Sequence, residues 1–326
     1  MKVTVELPIS KSIANRVLIR KALRGEDLQA FTDAAFPEDV RLMARCLSAP
    51  AGTHHLNVDN CGTAMRFLTA YFAQKEGADL VLDGCERMRE RPIGQEVEAL
   101  RQLGADITCL GREGFPPLRI RGRKLASSST VRIDHPDSTQ FVSALLLVGI
   151  NATTDSRSPY IEMTRAVVAG RETIEPDWSA AAFWLERHAL GLCPEIELPD
   201  PTGSLQGDSI AHEIFRQIRN RELRSLDCTD IPDLVPAIAV TSHLLHQDVN
   251  LTGTESLRFK ESDRLEALEE NFRRIEAKQF PLLSFGDHRI AMAFMAAGYE
   301  VDDTTCISKS YPNFVNQLQS MQRGKW

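Results

Sequence analysis

Asn60-Cys61-Gly62-Thr63-Ala64-Met65-Arg66-Phe67-Leu68 passes directly from small polar residues into an apolar, helix-like run, and it is one of six such passages in the chain. The others start at Ser10-Lys11-Ser12, Ser138-Thr139-Gln140, Asp177-Trp178-Ser179, Pro232-Asp233 and Asp287-His288-Arg289. Phe141-Val142-Ser143-Ala144-Leu145 and Ile290-Ala291-Met292-Ala293-Phe294 are among the apolar runs that follow. Several passages open with Ser, Asn or Asp, whose side chains accept hydrogen bonds from the first free N–H groups of a helix. A helix N-terminus also carries partial positive charge, so several aimed at one cleft would form an anion receptor. The intervals are mostly about forty to fifty-five residues, the spacing of a repeated supersecondary unit. The function class this pattern points to is small-molecule anion chemistry.

Composition narrows the field. A chain of 326 residues suits two domains, each long enough for its own core. A hydrophobic content of 43% and a charged content of 25% are those of an ordinary soluble globular protein. The net charge of −7, with no basic tail or stripe, argues against a nucleic-acid partner. The basic residues gather in short clusters (Arg87, Arg89 and Arg91; Lys260 and Arg264; Arg289), which suits a pocket for small anions better than a groove for a polyanion. Seven cysteines are scattered singly with no metal-ligand spacing, so reduced thiols and no metal are expected. Met1-Lys2-Val3-Thr4-Val5-Glu6-Leu7-Pro8 alternates like a strand and lacks a signal-peptide core. No run of some twenty apolar residues could span a membrane, and the expectation is a cytoplasmic protein.

Strand-like and helix-like segments alternate throughout. Leu80-Val81-Leu82-Asp83 and Val131-Arg132-Ile133-Asp134 read as short strands, and Pro92 to Leu103 reads as a helix closed by Gly104. Leu265, Leu268, Phe272 and Ile275 trace an apolar stripe at helical spacing. The fold class is α/β, shading into α+β.

Three further stretches carry specific information. They are Pro8-Ile9-Ser10-Lys11-Ser12-Ile13-Ala14-Asn15-Arg16; Asp83-Gly84-Cys85-Glu86-Arg87-Met88-Arg89-Glu90-Arg91-Pro92-Ile93; and Lys260-Glu261-Ser262-Asp263-Arg264 with Gly286-Asp287-His288-Arg289. Taken singly, a Lys-Glu-x-Asp-Arg run is a solvated helix face, Gly62 a turn glycine, Asp287 a helix cap and Cys61 a small packing residue. Together with the Asn60 passage, and in this order, they resemble the EPSP synthase (3-phosphoshikimate 1-carboxyvinyltransferase) family of enolpyruvyltransferases, from about Pro8 to Pro312.

The resemblance implies a two-domain fold of repeated βαβαββ units whose helix N-termini face the interdomain cleft. Residues 10–173 would form the shikimate-phosphate-binding domain, and residues 1–9 plus 174–326 the second. The implied reaction moves the enolpyruvyl group of phosphoenolpyruvate to the 5-hydroxyl of shikimate 3-phosphate and releases phosphate. Two phosphates and two carboxylates would meet, so their repulsion must be offset by cations, and Arg clamps such groups with paired hydrogen bonds. By resemblance, Lys11, Asn60, Gly62, Arg91, Gln140, Arg264, Arg289 and Lys309 bind phosphoenolpyruvate. Lys11, Ser12, Arg16, Ser138, Thr139, Gln140, Tyr160, Asp233 and Lys260 bind shikimate 3-phosphate. Asp233 is the implied base for the 5-hydroxyl, and Glu261 or Lys11 handles the methylene proton. No cofactor is implied, and a monomer is expected. Gly62 implies sensitivity to glyphosate, the family's phosphoenolpyruvate mimic.

Some positions depart from the family pattern. Arg157 stands where a Ser is usual ahead of Pro159-Tyr160, with Ser156 and Ser158 as neighbours able to supply the hydroxyl. Phe67 replaces a Pro after Arg66, and a residue of that size is expected to shift the Gly62 helix slightly. The chain is also short between Tyr160 and Glu175 and between Arg274 and Asp287, where further strands are usual. The abrupt junctions Ala169-Gly170-Arg171 and Ala277-Lys278-Gln279-Phe280 read as sites of omitted mobile stretches, because loss of whole strands would leave sheet edges unpaired. Two alternatives share the fold: UDP-N-acetylglucosamine enolpyruvyltransferase and a non-catalytic anion-binding relative. Cys85 near Arg91-Pro92 hints at the first, but it lacks a preceding Pro-Gly-Gly. Retention of both Asp233 and Glu261 disfavours the second, since a mere anion binder gains nothing from carboxylates beside its ligand.

Overall fold

All six polar passages precede helices: Lys11–Leu23, Gly62–Gln74, Thr139–Leu147, Trp178–Ala189, Val235–Leu244 and His288–Ala296. Ser138, Asp177 and Asp287 cap theirs, accepting from the backbone N–H groups of Gln140, Ala180 and Arg289. Asp263 likewise caps Arg264–Glu276, the helix of the Leu265 stripe. This computed structural model describes residues 2–125 and 130–323. The chain divides into two units, one of Lys11–Asp33 and Asp39–Ile174, the other of Met1–Ser10, Ala34–Glu38 and Glu175–Trp326.

The first unit holds a four-stranded sheet. His55–Asn57 runs parallel to Asp79–Asp83, which pairs antiparallel with Leu118–Arg121, and that strand pairs antiparallel with Asp106–Cys109. The register sets Leu56 beside Leu82 and Ile120 between Leu80 and Ile107, all facing the core. With the helices Gly62–Gln74 and Gly94–Gln102 between its strands, this is one full βαβαββ unit. Elsewhere the repeat is shortened to its parallel half. Thr130–Arg132 pairs with Asn151–Thr153 around Thr139–Leu147, Ser225–Asp227 with Asn250–Thr252 around Val235–Leu244, and Leu282 bridges Val301 around His288–Ala296. Lys2–Thr4 pairs parallel with Glu195–Glu197. Parallel strands need a crossover; one helix supplies it in the three shortened repeats, whereas the first unit and Trp178–Ala189 lie between Lys2–Thr4 and Glu195–Glu197.

The expectation of omitted stretches is corrected here. Pro159–Val168 ends in a Schellman turn, with Gly170 at φ +101°, Gly170 N–H bonded to Val167 O at 3.0 Å and Arg171 N–H to Ala166 O at 2.9 Å. Arg264–Glu276 ends the same way at Lys278, whose N–H meets Ile275 O at 3.1 Å while that of Gln279 meets Arg274 O at 2.8 Å. Both junctions are finished helix ends in an unbroken chain, and the units are trimmed.

Packing brings helix starts together within each unit. Gln140 Nε2 donates to Thr63 Oγ1 at 3.0 Å, joining the first turns of Gly62–Gln74 and Thr139–Leu147. Arg16 Nη2 donates to Tyr160 O at 3.1 Å, linking Lys11–Leu23 to the start of Pro159–Val168. In the second unit Arg289 Nη2 reaches Ser179 Oγ at 3.1 Å and Asp233 Oδ2 at 2.8 Å, drawing three more helix starts to one place. Beneath them lies a core built on Phe183, Trp184, Phe294, Tyr311 and Phe314, where Trp184 Nε1 donates to Tyr311 Oη at 3.0 Å.

Two carboxyl groups are buried without hydrogen-bond partners among the described residues, Glu96 in the first unit and Glu186 in the second. Burial pushes both well above the carboxylate range, with Arg66 pulling partly against it at Glu96. A carboxyl that keeps its proton when folded and loses it when unfolded makes stability fall as pH rises above the unfolded value, ~4.3 for Glu. Glu186→Met is therefore expected to stabilise the protein by ~1–3 kcal/mol at pH 8 and by less at pH 5. Denaturant unfolding at the two pH values measures this, and an equal effect at both would contradict it.

Candidate active site

In the first unit, cations gather at the helix starts. Lys11 opens its helix, and its Nζ donates to Asp39 Oδ2 at 2.9 Å, the two side chains being 11% and 5% exposed. Arg16, one turn on, is buried, and each of its hydrogen bonds goes to a neutral oxygen. Nε reaches Thr164 Oγ1 at 2.7 Å, Nη1 reaches Ser12 O at 2.7 Å, and Nη2 reaches Ser143 Oγ at 3.4 Å and Tyr160 O at 3.1 Å. Burial pushes its pKa down to about 10, which still leaves it charged at neutral pH. Phe67 packs against this arrangement. It is fully buried, and its ring lies 5.3 Å from the Arg16 guanidinium, a supporting cation–π contact.

Gly62 is the first residue of its helix, and its lack of a side chain makes room for Arg91. A Cβ there would stand 2.7 Å from Arg91 Cζ, 2.9 Å from Arg66 Nη1 and closer still to Arg91 Nη2. Arg91 Nη1 donates to Asn60 O and Oδ1 at 3.2 and 3.3 Å. Arg66 is held from behind by Gly62 O at 3.2 Å and Pro92 O at 2.8 Å. Ser138, Thr139 and Gln140 form the first turn of the adjoining helix. Ser158 Oγ caps the Tyr160 helix at 3.3 Å, whereas Arg157 is exposed. Arg89 forms a two-bond pair with Asp83 at 3.0 and 2.6 Å.

In the second unit, Arg264 is 1% exposed and binds three carboxylates. Nε donates to Asp287 Oδ2 at 2.8 Å, Nη1 to Asp233 Oδ1 at 2.9 Å and Nη2 to Glu261 Oε2 at 2.9 Å. Arg289 takes the other oxygen of Asp233. Burial opposes the charge on Arg264, but Asp287, Glu261 and Asp233 outweigh it and hold the guanidinium above its ordinary pKa. Arg289 is likewise raised, mainly by Asp233 against the effect of burial. Asp287 also receives Arg289 N–H at 2.9 Å and Ser262 Oγ–H at 3.2 Å, so one carboxylate both caps a helix and anchors Arg264. Lys260 is half-buried directly before Glu261, and Lys309 is buried at the end of a turn packed on His288–Ala296.

Two participants escape a reading of the sequence. Asp39 and Ser179 stand in ordinary surroundings, and only folding sets them beside Lys11 and Arg289. The Ser179 passage does carry a signal, as a helix start, but neither residue has diagnostic spacing. Among the described residues no group of His, Cys, Asp and Glu is arranged to hold a metal ion, and no helix is long and apolar enough to cross a membrane.

A family model described as EPSP synthase (3-phosphoshikimate 1-carboxyvinyltransferase) matches residues 47–170 and 148–318. A 3-phosphoshikimate 1-carboxyvinyltransferase of Bacteroides fragilis is 34% identical, over 98% of this chain and 95% of its own. One of Ralstonia nicotianae is 29% identical, over 95% of each. The solved EPSP synthase of Acinetobacter baumannii superposes with a TM-score of 0.65 over 98% of this chain and 95% of its own, at 19% identity, a likeness of fold.

Arg264 is the common partner of three carboxylates, so Arg264→Met leaves them facing one another with little water. The expected cost is ~3–5 kcal/mol of unfolding free energy at pH 7. Denaturant titration of the variant beside the unaltered protein measures it, and a cost below about 1 kcal/mol would contradict the anchoring role of Arg264.

Proposed function

The chain belongs to the EPSP synthase family, and we propose that the two clusters described above carry the family's reaction. That reaction transfers the enolpyruvyl group of phosphoenolpyruvate to the 5-hydroxyl of shikimate 3-phosphate, giving 5-enolpyruvylshikimate 3-phosphate and phosphate. The observation that carries this reading is the placing of buried guanidinium groups at converging helix N-termini, with Asp233 and Glu261 beside two of them. A site meant only to hold anions gains nothing from two carboxylates among its cations. A site that must move two protons needs them.

In this reading Arg16, Ser12, Ser138, Thr139, Gln140 and Tyr160 receive shikimate 3-phosphate. Among the described residues Arg16 has neutral hydrogen-bond acceptors alone, so its charge is there for a phosphate to neutralise. Lys11, Arg91, Arg264, Arg289 and Lys309 neutralise phosphoenolpyruvate, with Asn60 and Gln140 orienting it. Asp233 takes the proton of the 5-hydroxyl as that oxygen forms its bond to the enol carbon. Glu261 or Lys11 delivers a proton to the methylene carbon, making it a methyl group. In the collapse of the tetrahedral intermediate the methyl carbon returns a proton and phosphate departs with the C–O bonding pair. Asp233 and Lys260 also contact the sugar-like ring of the acceptor. A cytoplasmic monomer is part of the proposal, and the absence of disulfides among the described residues fits a reducing compartment.

Phosphate release from phosphoenolpyruvate should depend on shikimate 3-phosphate and should not occur with UDP-N-acetylglucosamine; the opposite preference would reassign the chain to the sister enzyme. Asp233→Asn and Glu261→Gln should each lower kcat by about 10²–10⁴-fold, and near-normal turnover would remove those roles.

Gly62→Ala should push the Arg91 guanidinium aside. The expected results are a KM for phosphoenolpyruvate raised by about tenfold or more, for a lost contact of some 1.4 kcal/mol, and weaker inhibition by glyphosate. The unaltered enzyme should be inhibited competitively with phosphoenolpyruvate, and inhibition unrelieved by saturating substrate would contradict this.

A further inference from the structure

The loop that delivers Ser138, Thr139 and Gln140 to the first cluster is held by side chains from outside it. Ile133 N–H still meets Thr153 O at 3.0 Å, but residues 134–137 make no backbone–backbone hydrogen bond among the described residues. His135 stands in the left-handed region at φ +46°, a conformation that needs outside support in a residue with a side chain. Its N–H is taken by Asp155 Oδ1 at 2.8 Å, and Asp155 Oδ2 lies 2.8 Å from its Nδ1. Pro136 has no N–H to place. The N–H of Asp137, the last residue before the Ser138 cap, is taken by Gln95 Oε1 at 2.9 Å, and Gln95 Nε2 reaches His135 O at 3.4 Å. From His135 to Asp137 the backbone donors are thus answered by two side chains, and the one nearer Ser138 is Gln95.

Gln95 sits on firm ground. It is half-buried in the first turn of Gly94–Gln102, four residues after Arg91, and Ile93 N–H just before it is fixed to Gly114 O at 2.9 Å. Ser138 in turn caps its own helix by accepting Gln140 N–H at 3.3 Å. A shift of Asp137 therefore moves the cap, and Thr139 with it. Gln140 has an anchor of its own in Thr63 Oγ1.

We propose that Gln95 is a positioning residue for the acceptor substrate: by holding Asp137 N–H it sets Ser138 and Thr139 where the phosphate of shikimate 3-phosphate is received. This rests on the reading of Ser138 and Thr139 as part of the shikimate 3-phosphate shell. The bond to Oε1 is the working contact, since a donor at 3.4 Å adds little. What the loop requires from position 95 is an acceptor oxygen at the right reach.

The test is KM for each substrate, at saturation of the other, in the unaltered enzyme, Gln95→Met and Gln95→Glu. Met keeps the length of the side chain and removes both hydrogen bonds, whereas Glu keeps an oxygen for Asp137 N–H. Gln95→Met should raise KM for shikimate 3-phosphate by about three- to tenfold, the equivalent of one lost hydrogen bond. Its kcat should stay nearly level, because ground-state and transition-state binding are lost alike. KM for phosphoenolpyruvate should change less, since Gln140 keeps its bond to Thr63. Gln95→Glu should restore most of the loss. An unchanged KM in Gln95→Met, or a rise that Gln95→Glu leaves in place, would overturn the role of Gln95. So would equal rises for both substrates with a fall in kcat, the mark of a general loosening. Absence of turnover in the unaltered enzyme would instead overturn the functional premise, a distinguishable result. Should Gln95→Met fail to fold, Gln95→Ala removes the same two hydrogen bonds and carries the same expectation.

Discussion

The second unit is organised around a guanidinium that water almost never reaches. Burying Arg264 would be prohibitive alone, and its neighbourhood is arranged to avoid that cost: each of its nitrogens finds a carboxylate oxygen. Those carboxylates come from separate stretches of chain, at Asp233, Glu261 and Asp287, so the ion cluster ties several backbone segments together. Asp287 has the tightest constraint, since the same side chain starts the His288–Ala296 helix and holds Arg264. The helix, the cluster and the orientation of Arg289 therefore depend on one another.

The first unit meets the same difficulty differently. Arg16 is as buried as Arg264, but its hydrogen-bond acceptors among the described residues are hydroxyl and carbonyl oxygens, and its pKa falls while that of Arg264 rises. Lys11 stands between these cases, with Asp39 as a carboxylate partner. The contrast sorts cations by task. An uncompensated buried charge attracts an anion strongly and releases it reluctantly, which suits a group that only holds its ligand. A compensated one brings carboxylates to fixed positions, which suits proton transfer.

Much of this was legible in the sequence because the site is built from local features. A polar residue ahead of an apolar run is a helix start wherever it occurs, and the six passages led to six helices. Gly62 and Arg91 lie 29 positions apart, and only the fold reveals that the glycine is small on account of the arginine. Asp39 and Ser179 were invisible for a related reason: each acts through a partner distant in the chain, and acidic and hydroxyl residues are too common for spacing to single them out. The reading failed at Gly170 and Lys278, where a short interval was taken for an omission. Shortness alone does not tell a cut from a cap, whereas a positive φ with paired carbonyls does.

The trimming itself follows a physical logic. In the one complete repeat, Asp106–Cys109 and Leu118–Arg121 close the sheet, and neither strand contributes a residue to the proposed site. The shortened repeats drop that closing pair and keep the parallel half with its crossover helix. The kept half is the part that generates helix N-termini, and the helix starts are where the cations and carboxylates sit. A repeat can lose its antiparallel strands without losing a site residue, provided the remaining edges stay short. The retained pairs are three residues long on each strand, which limits the unpaired edge each one presents. Selection acting on the reaction would tolerate this loss, while removal of any one crossover helix would take with it part of the charge pattern on which the others depend.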